Sequence, residues 1–269
     1  MGSHLAFEIG SYREARSRGG GRMWVHGARC GRQPSHRLAP FWYVSVAIRR
    51  VWDRRGVVAD VQPVLIGPAS RHYFYDPHDG VELAAYAVPG EATADLFGVE
   101  CGALERLEID RQGDPRFDLA MRRAEAGAPI SDVAMVLETA FSYRPPVARE
   151  QGVSDAALHL MRRRRGRASV EELSSELACS SRHLRRSVTS AIGIAPKSYA
   201  RILRLNSALR LMDRTAAPRW ADIAVRAGYA DQAHMIRDFQ GLAGASPAAV
   251  KMERRAESDL FNQGRVRAT

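Results

Sequence analysis

A pattern that occurs twice constrains this chain more than any other feature of it. Leu184, Val188, Gly193 and Pro196 recur as Met235, Phe239, Gly244 and Pro247, each 51 residues later, and His183 falls on His234 in the same register. A single pair of short amphipathic helices around a tight turn arises easily. Two in register, each closing with G-x-x-P, do not.

Local signals give both copies the same plan. Ser169-Val-Glu-Glu172 has the S-x-x-E form of a capping box, so a helix starts there, carries Leu173 and Leu177 on one face and stops near Ala178. Ser180 can cap a second helix, SRHLRRSVTSAI, with Leu184 and Val188 inward. In the later copy Ile223, Ala224 and Ala227 form a core face and Gly228 supplies a left-handed stop. Asp231 then caps QAHMIRDFQGLAG, with Met235 and Phe239 inward. Between the copies, SYARILRLNSALRLM puts Ile202, Leu205, Leu209 and Met212 on one stripe. That spacing predicts a connecting helix of roughly 15 residues, about 22 Å long.

Charge points to the same region. Arg162 to Arg255 holds 19 Lys/Arg against 8 Asp/Glu, whereas Met1 to Met161 holds 19 against 20. The formal +10 of the chain therefore sits in one segment, and a localised positive field of this kind attracts polyanions, nucleic acid foremost. The run Arg162, Arg163, Arg164 and Arg165, taken alone, reads equally as a solvated linker.

The words GYADQAHMIRDF, GASP and IGIAPKSYARILRL carry a resemblance over about Val170 to Lys251. In them the chain resembles the AraC/XylS family of transcription regulators, whose DNA-binding domain joins two helix-turn-helix units through one long helix. The resemblance implies a sequence-specific, DNA-binding transcription regulator that is not an enzyme, carries no cofactor and works in the cytoplasm. The first unit departs from the family pattern: Ala178-Cys179 stands where a Gly-aromatic pair is usual. More loosely, SYREARS, Gly67-Pro68 and AVPGEATADLFGVECGALERLEI resemble an uncharacterised domain fused to such regulators, without the Pro-Asp-Gly turn often found there.

The repeat has a physical reading of its own. B-DNA presents its major groove on one face once per turn, about 34 Å, and each groove segment admits one helix. Two linked units can read two segments as a monomer on an asymmetric site. Helix phase turns Arg182, Arg185 and Arg186 outward in the first copy, and Gln232, Ala233, Arg237 and Ile236 in the second. Arg pairs bidentately with guanine, Gln with adenine, and Ala or Ile touches a thymine methyl. The resemblance singles out Arg182, Arg186, Gln232, Ala233 and Arg237 as base-facing. Phosphate contacts are expected from Arg162 to Arg165, from His183 and His234, and from the helix N-termini at Ser169 and Pro218.

The remainder of the chain reads as an α+β protein, a β-rich and helical N-terminal domain followed by an all-α DNA-binding domain. FWYVSVAIRRVW, VVADVQPVLIG, RHYFYDPHDG and VELAAYAVPG read as strands, and EATADLFG, FDLAMRRAEAG and PISDVAMVLETAF as helices. Expected boundaries are a flexible segment at 1–22, a sensing or dimerising domain at 23–146, a linker and basic helix at 147–166, the double helix-turn-helix at 167–256 and a flexible tail at 257–269. Trp42, Trp52, Tyr73, Tyr75 and Tyr86 are candidates to line a small-molecule effector pocket, although aromatics on strands are more often core. Likewise His72, Asp76, His78 and Asp79 form a conceivable metal cluster, with a polar turn as the ordinary reading. The partners implied are a promoter duplex, RNA polymerase, an effector and a second copy of the chain, with no membrane.

Two rivals have distinct requirements. A DNA-alkylation repair protein with the same double helix-turn-helix needs four zinc-bound cysteines in close-spaced pairs, whereas this chain has Cys30, Cys101 and Cys179, only the first two in its N-terminal half. A non-specific DNA-coating protein needs only the basic charge.

Overall fold

Three strands rich in Val, Ala and Tyr form the centre of the N-terminal half: β4 (Tyr43–Trp52), β5 (Val58–Ile66) and β7 (Val81–Pro89). They belong to a six-stranded antiparallel sheet, in the order β1-β2-β7-β4-β5-β8. Its other members are β1 (Tyr12–Arg16), β2 (Arg22–Ala28) and β8 (Glu108–Asp110). A separate ribbon pairs β3 (His36–Leu38) with β6 (Tyr73–Tyr75). The computed structural model describes residues 12–16, 22–28, 36–75, 80–105, 107–142 and 152–254.

β4 and β7 are buried on both faces, so they read as near-continuous apolar runs rather than as alternation. Val44, Val46 and Ile48 share a core with Ala84, Tyr86 and Val88. The helices α2 (Asp118–Glu125) and α3 (Ile130–Phe141) cover that side, supplying Ala120, Ala124, Val133, Leu137 and Phe141 to the same core. The short helix α1 (Thr93–Phe97) ends on Gly98 and adds Phe97. Within the segment expected to be flexible, strand β1, Tyr12 to Arg16, pairs in register with β2. Its sequence, YREAR, lacks an apolar face because it is an edge strand, where charge is tolerated and useful.

One ion pair fastens the helical layer to this sheet. Arg50 is completely buried and donates to Glu82 Oε2 from Nε and Nη2 at 2.9 and 2.5 Å. Its Nη1 donates to the carbonyls of Ala124 and Ala128 at the end of α2, and its guanidinium lies 4.7 Å from the Trp52 ring.

The C-terminal half is helical: α4 (Val153–Arg163), α5 (Val170–Glu176), α6 (Ser181–Ile192), α7 (Pro196–Asp213), α8 (Trp220–Ala227), α9 (Gln232–Asp238) and α10 (247–254). A π-helical turn, Phe239–Ala243, extends α9. The connecting helix is 18 residues long, three more than the apolar stripe predicts, because Pro196 starts it at a favoured first-turn position. Of the expected linker and basic helix at 147–166, residues 147–151 lie outside the described residues, and α4 with the turn after it occupies the rest. Among those described, no helix is long and apolar enough to cross a membrane.

Removing one member of a buried pair strands the other charge, so Glu82→Ala should cost about 3 to 5 kcal/mol. Urea unfolding of the variant is the measurement, and a loss below 1 kcal/mol would show that Arg50 finds other compensation.

Candidate nucleic-acid interface

The two helix-turn-helix units are built from the residues that the repeat aligns. Ser180 Oγ accepts the His183 amide at 3.1 Å, and Asp231 Oδ1 accepts the His234 amide at 2.6 Å. The matched histidines thus supply the third amide of each second helix to its cap. Ser169 and Glu172 form the reciprocal capping box at the start of α5. Leu184 and Val188 are buried under α6, and Met235 and Phe239 under α9 and its extension. At the far end Gly193 and Gly244 both adopt left-handed caps, their amides donating to Thr189 O and Gln240 O, again 51 residues apart.

The turns differ by one position. In the second unit Gly228 takes the left-handed conformation, at φ +95°, directly after α8. In the first unit Leu177 caps α5 with an ordinary φ, and Ala178 carries the left-handed bend, at φ +48°. The missing Gly-aromatic pair therefore does not open the turn; it shifts the bend onto a residue with a Cβ.

Arg182, Arg185 and Arg186 are exposed on α6, as are Gln232, Ala233 and Arg237 on α9, while Ile236 is half-buried. Arg185 reaches back to Glu171 of α5 at 3.3 Å, with both side chains mostly in solvent, a pair worth little there. Between Gln232 and Phe239 one polar residue turns inward. Asp238 is buried and accepts from Arg201 Nε of α7 at 2.8 Å, with Arg204 Nη2 4.0 Å from its other oxygen. Arg204 also lies over the Tyr229 ring, whose hydroxyl burial holds protonated. The His234 ring packs edge-on against the same tyrosine. His183 is exposed.

The basic run divides. Arg162 is part-exposed and engaged by Glu91 of the N-terminal half, which accepts from both its Nη atoms. Burial disfavours its charge, but Tyr199 and Glu91 beside it keep the guanidinium protonated. Arg164 pairs with Glu176 at 2.6 Å. Arg163, the last residue of α4, and Arg165 are exposed, the latter on a loop that turns back through left-handed Arg165 and Gly166. Arg167, exposed in the same loop, was missed by reasoning on the run of four. It packs over Gly228 and donates to Arg226 O, so this loop sits against the turn of the second unit. At the start of α8 the cap is Arg219 rather than Pro218, with no side-chain bond to the free amides.

The five aromatics proposed for an effector pocket do not converge. Trp42 and Tyr86 are buried in the main core, Trp52 lies at the opposite end of β4 over Arg50, and Tyr73 and Tyr75 belong to the separate ribbon. Burial in the ordinary core is what strand aromatics do first. Of the conceivable metal ligands, Asp76, His78 and Asp79 lie outside the described residues. His72 is engaged elsewhere, its backbone amide and Nδ1 lying 2.8 and 3.2 Å from Leu242 O.

Comparison with known proteins bears on this half of the chain. A family model described as a helix-turn-helix domain matches residues 173–253. The chain is 37% identical over 67 residues to an uncharacterised HTH-type transcriptional regulator, YbfI, of Bacillus subtilis strain 168. That match spans 25% of this chain and 24% of the relative, so the chain aligns with only about a quarter of the relative's length. ToxT of Vibrio cholerae O395 superposes over 90% of this chain and 98% of its own, with a TM-score of 0.47 and 11% identity. The DNA-binding domain of AdpA, solved with a target DNA, superposes over 39% of this chain and 93% of its own, with a TM-score of 0.35 and 25% identity. Residues 173–253 are an AraC-type helix-turn-helix domain, in the helical part of a chain whose N-terminal part is β-rich.

Because glycine adopts the left-handed bend without a Cβ clash, Ala178→Gly should stabilise the first unit by about 0.5 to 1 kcal/mol. An increased urea midpoint at unchanged slope is the expected outcome, and a decrease would mean that the Ala178 side chain contributes packing that outweighs its bend.

Proposed function

We propose that this chain is a sequence-specific transcription regulator, reading two successive major-groove segments of one duplex with α6 and α9. The observation that carries the reading is the doubled cap geometry. Two helices with matched N-caps and matched glycine C-caps, both held on α7, expose Arg182, Arg185 and Arg186 on one and Gln232, Ala233 and Arg237 on the other. These side chains suit guanine and adenine edges and thymine methyls. Arg163 at the end of α4, and Arg165 and Arg167 on the loop before α5, are suited to phosphates, with His183 as a further contact. The DNA-reading unit runs over 167–256 in this reading, and the N-terminal half is where an effector, a second copy or RNA polymerase would act.

A zinc-dependent methyl acceptor is not favoured. Cys101 is buried, and desolvation pushes its thiol up to about 12, where it is a poor nucleophile. Cys179 lies in the turn of the first helix-turn-helix unit.

Selection of duplexes from a random pool by the full chain, at fixed physiological salt, tests the reading. It should enrich an asymmetric site with two blocks about one helical turn apart, whereas binding without enrichment would leave a non-specific DNA-coating role. On the selected site, Arg186→Ala or Arg237→Ala should cost about 1 to 3 kcal/mol and relax preference at one position. Arg163→Gln with Arg165→Gln should instead weaken specific and random duplexes alike and reduce the salt slope by about 1 for each charge. Equal losses on both duplexes for Arg186→Ala and Arg237→Ala would refute their assignment to base edges.

A further inference from the structure

The last carbonyls of a helix have no partner within it. In this chain the N-terminal half supplies one to each recognition segment, at the same position of the repeat. Trp42 Nε1 donates to Ile192 O, the last residue of α6, at 2.5 Å. Arg37 Nη1 donates to Ala243 O, the last residue of the α9 extension, at 2.7 Å. Ile192 and Ala243 are 51 residues apart. The caps that follow are packed alike: Gly193 lies against Gly102 so closely that neither has room for a Cβ, and Gly244 lies against the His72 ring.

Both donors belong to one segment of six residues, Arg37-Leu-Ala-Pro-Phe-Trp42. Its middle is fixed as well, since Pro40 O accepts from Asn206 Nδ2 on α7 at 3.0 Å. Five residue steps of extended chain reach no further than about 18 Å. Displacing one recognition segment relative to the other therefore breaks a bond at one end of this strap or pulls it off α7. Arg37 is further held by Glu253 of α10 at 2.8 Å, and a cation at a helix C-terminus is favoured by the dipole.

We propose that this strap sets the spacing and mutual orientation of the two recognition segments, so that Trp42 and Arg37 are positioning residues that determine which separation of the two DNA blocks is read. The proposal rests on the reading of α6 and α9 as tandem readers. One inserted base pair moves the second block by about 3.4 Å and about a tenth of a turn, which a strapped pair cannot follow.

Two measurements on the full chain test it, with Trp42→Phe, Arg37→Met and their combination; Arg37→Met, at a half-buried position, guards against a folding defect from Trp42→Phe. The first needs no DNA: spin labels at Thr189→Cys and Gln240→Cys, with Cys30 and Cys179 changed to serine, report the distance between the segments. Wild type should give one narrow distribution and the double variant a broad or shifted one; an unchanged distribution in the folded double variant overturns the proposal. The second compares affinity for the selected duplex with and without one inserted base pair. Wild type should lose about tenfold or more and the double variant less than about threefold, with base preference inside each block unchanged. Equal losses in both proteins would also overturn it. If wild type enriches no two-block site, the tandem-reader reading fails and takes the DNA part of the proposal with it, while the label distances still decide whether the strap fixes the two segments.

Discussion

Helix α7 is the constraint on which the C-terminal half depends. Helices as short as α5 and α9, seven residues each, do not persist in water by themselves, and a pair of them buries too little to form a core. The bridging helix supplies what both lack. Its first part, Tyr199, Ala200 and Ile202, joins the core that contains Leu173, Leu184, Val188 and Ile192, and its second part, Leu205, Ala208, Leu209 and Met212, joins the core of Ile223, Met235 and Phe239. One continuous rod thus serves two cores, and the angle between the units follows from where the apolar stripe passes from one to the other.

The two cores are not equivalent. The first is continuous with the sheet of the N-terminal half, through Trp42, Cys101 and Leu104, so the first unit is packed as part of that half. The second unit shares a separate core with the end of α7, and polar contacts reinforce it. Asp238 meets Arg201, Lys251 donates to Met212 O at the end of α7, Arg254 pairs with Asp213, and Arg37 pairs with Glu253. Directional bonds define an orientation more tightly than apolar contact does, because they fail when misaligned.

The helical half was legible in the sequence because its signals are local. The capping box at Ser169, the caps at Ser180 and Asp231, the stop at Gly228 and the apolar stripe of α7 each depend on residues within one or two turns, and each stands where the spacing puts it. In the N-terminal half, β4, β5 and β7 were legible as apolar runs. Strands β1, β3 and β8 were not, since five or fewer residues at an edge or in a ribbon carry no alternation to read. Among the candidate site residues, outward phase on α6 and α9 was readable from the buried partners of Arg186 and Arg237. The fate of Arg162 was not, because Glu91 lies 71 residues away and nothing in the run MRRRRGR distinguishes a paired arginine from a solvated one. The left-handed bend at Ala178 was hidden for a related reason: the residue that normally advertises such a bend is absent, and the capped helices on either side impose it.

Helix polarity explains how one small domain can serve DNA and the N-terminal half at once. A recognition helix meets base edges with its N-terminal residues, so its C-terminal carbonyls point away from the groove. Those carbonyls carry the negative end of the dipole and lack partners in the helix, which makes them the strongest polar handle on the side that DNA leaves free. In this chain an indole N–H and a guanidinium from the two ends of one six-residue strap take that handle on both segments. The same repeat that gives two exposed second helices, the readers in the proposed function, therefore also gives two equivalent points at which the rest of the protein holds them. In the proposed reading, the N-terminal half acts on the geometry of the two helices from the side away from DNA.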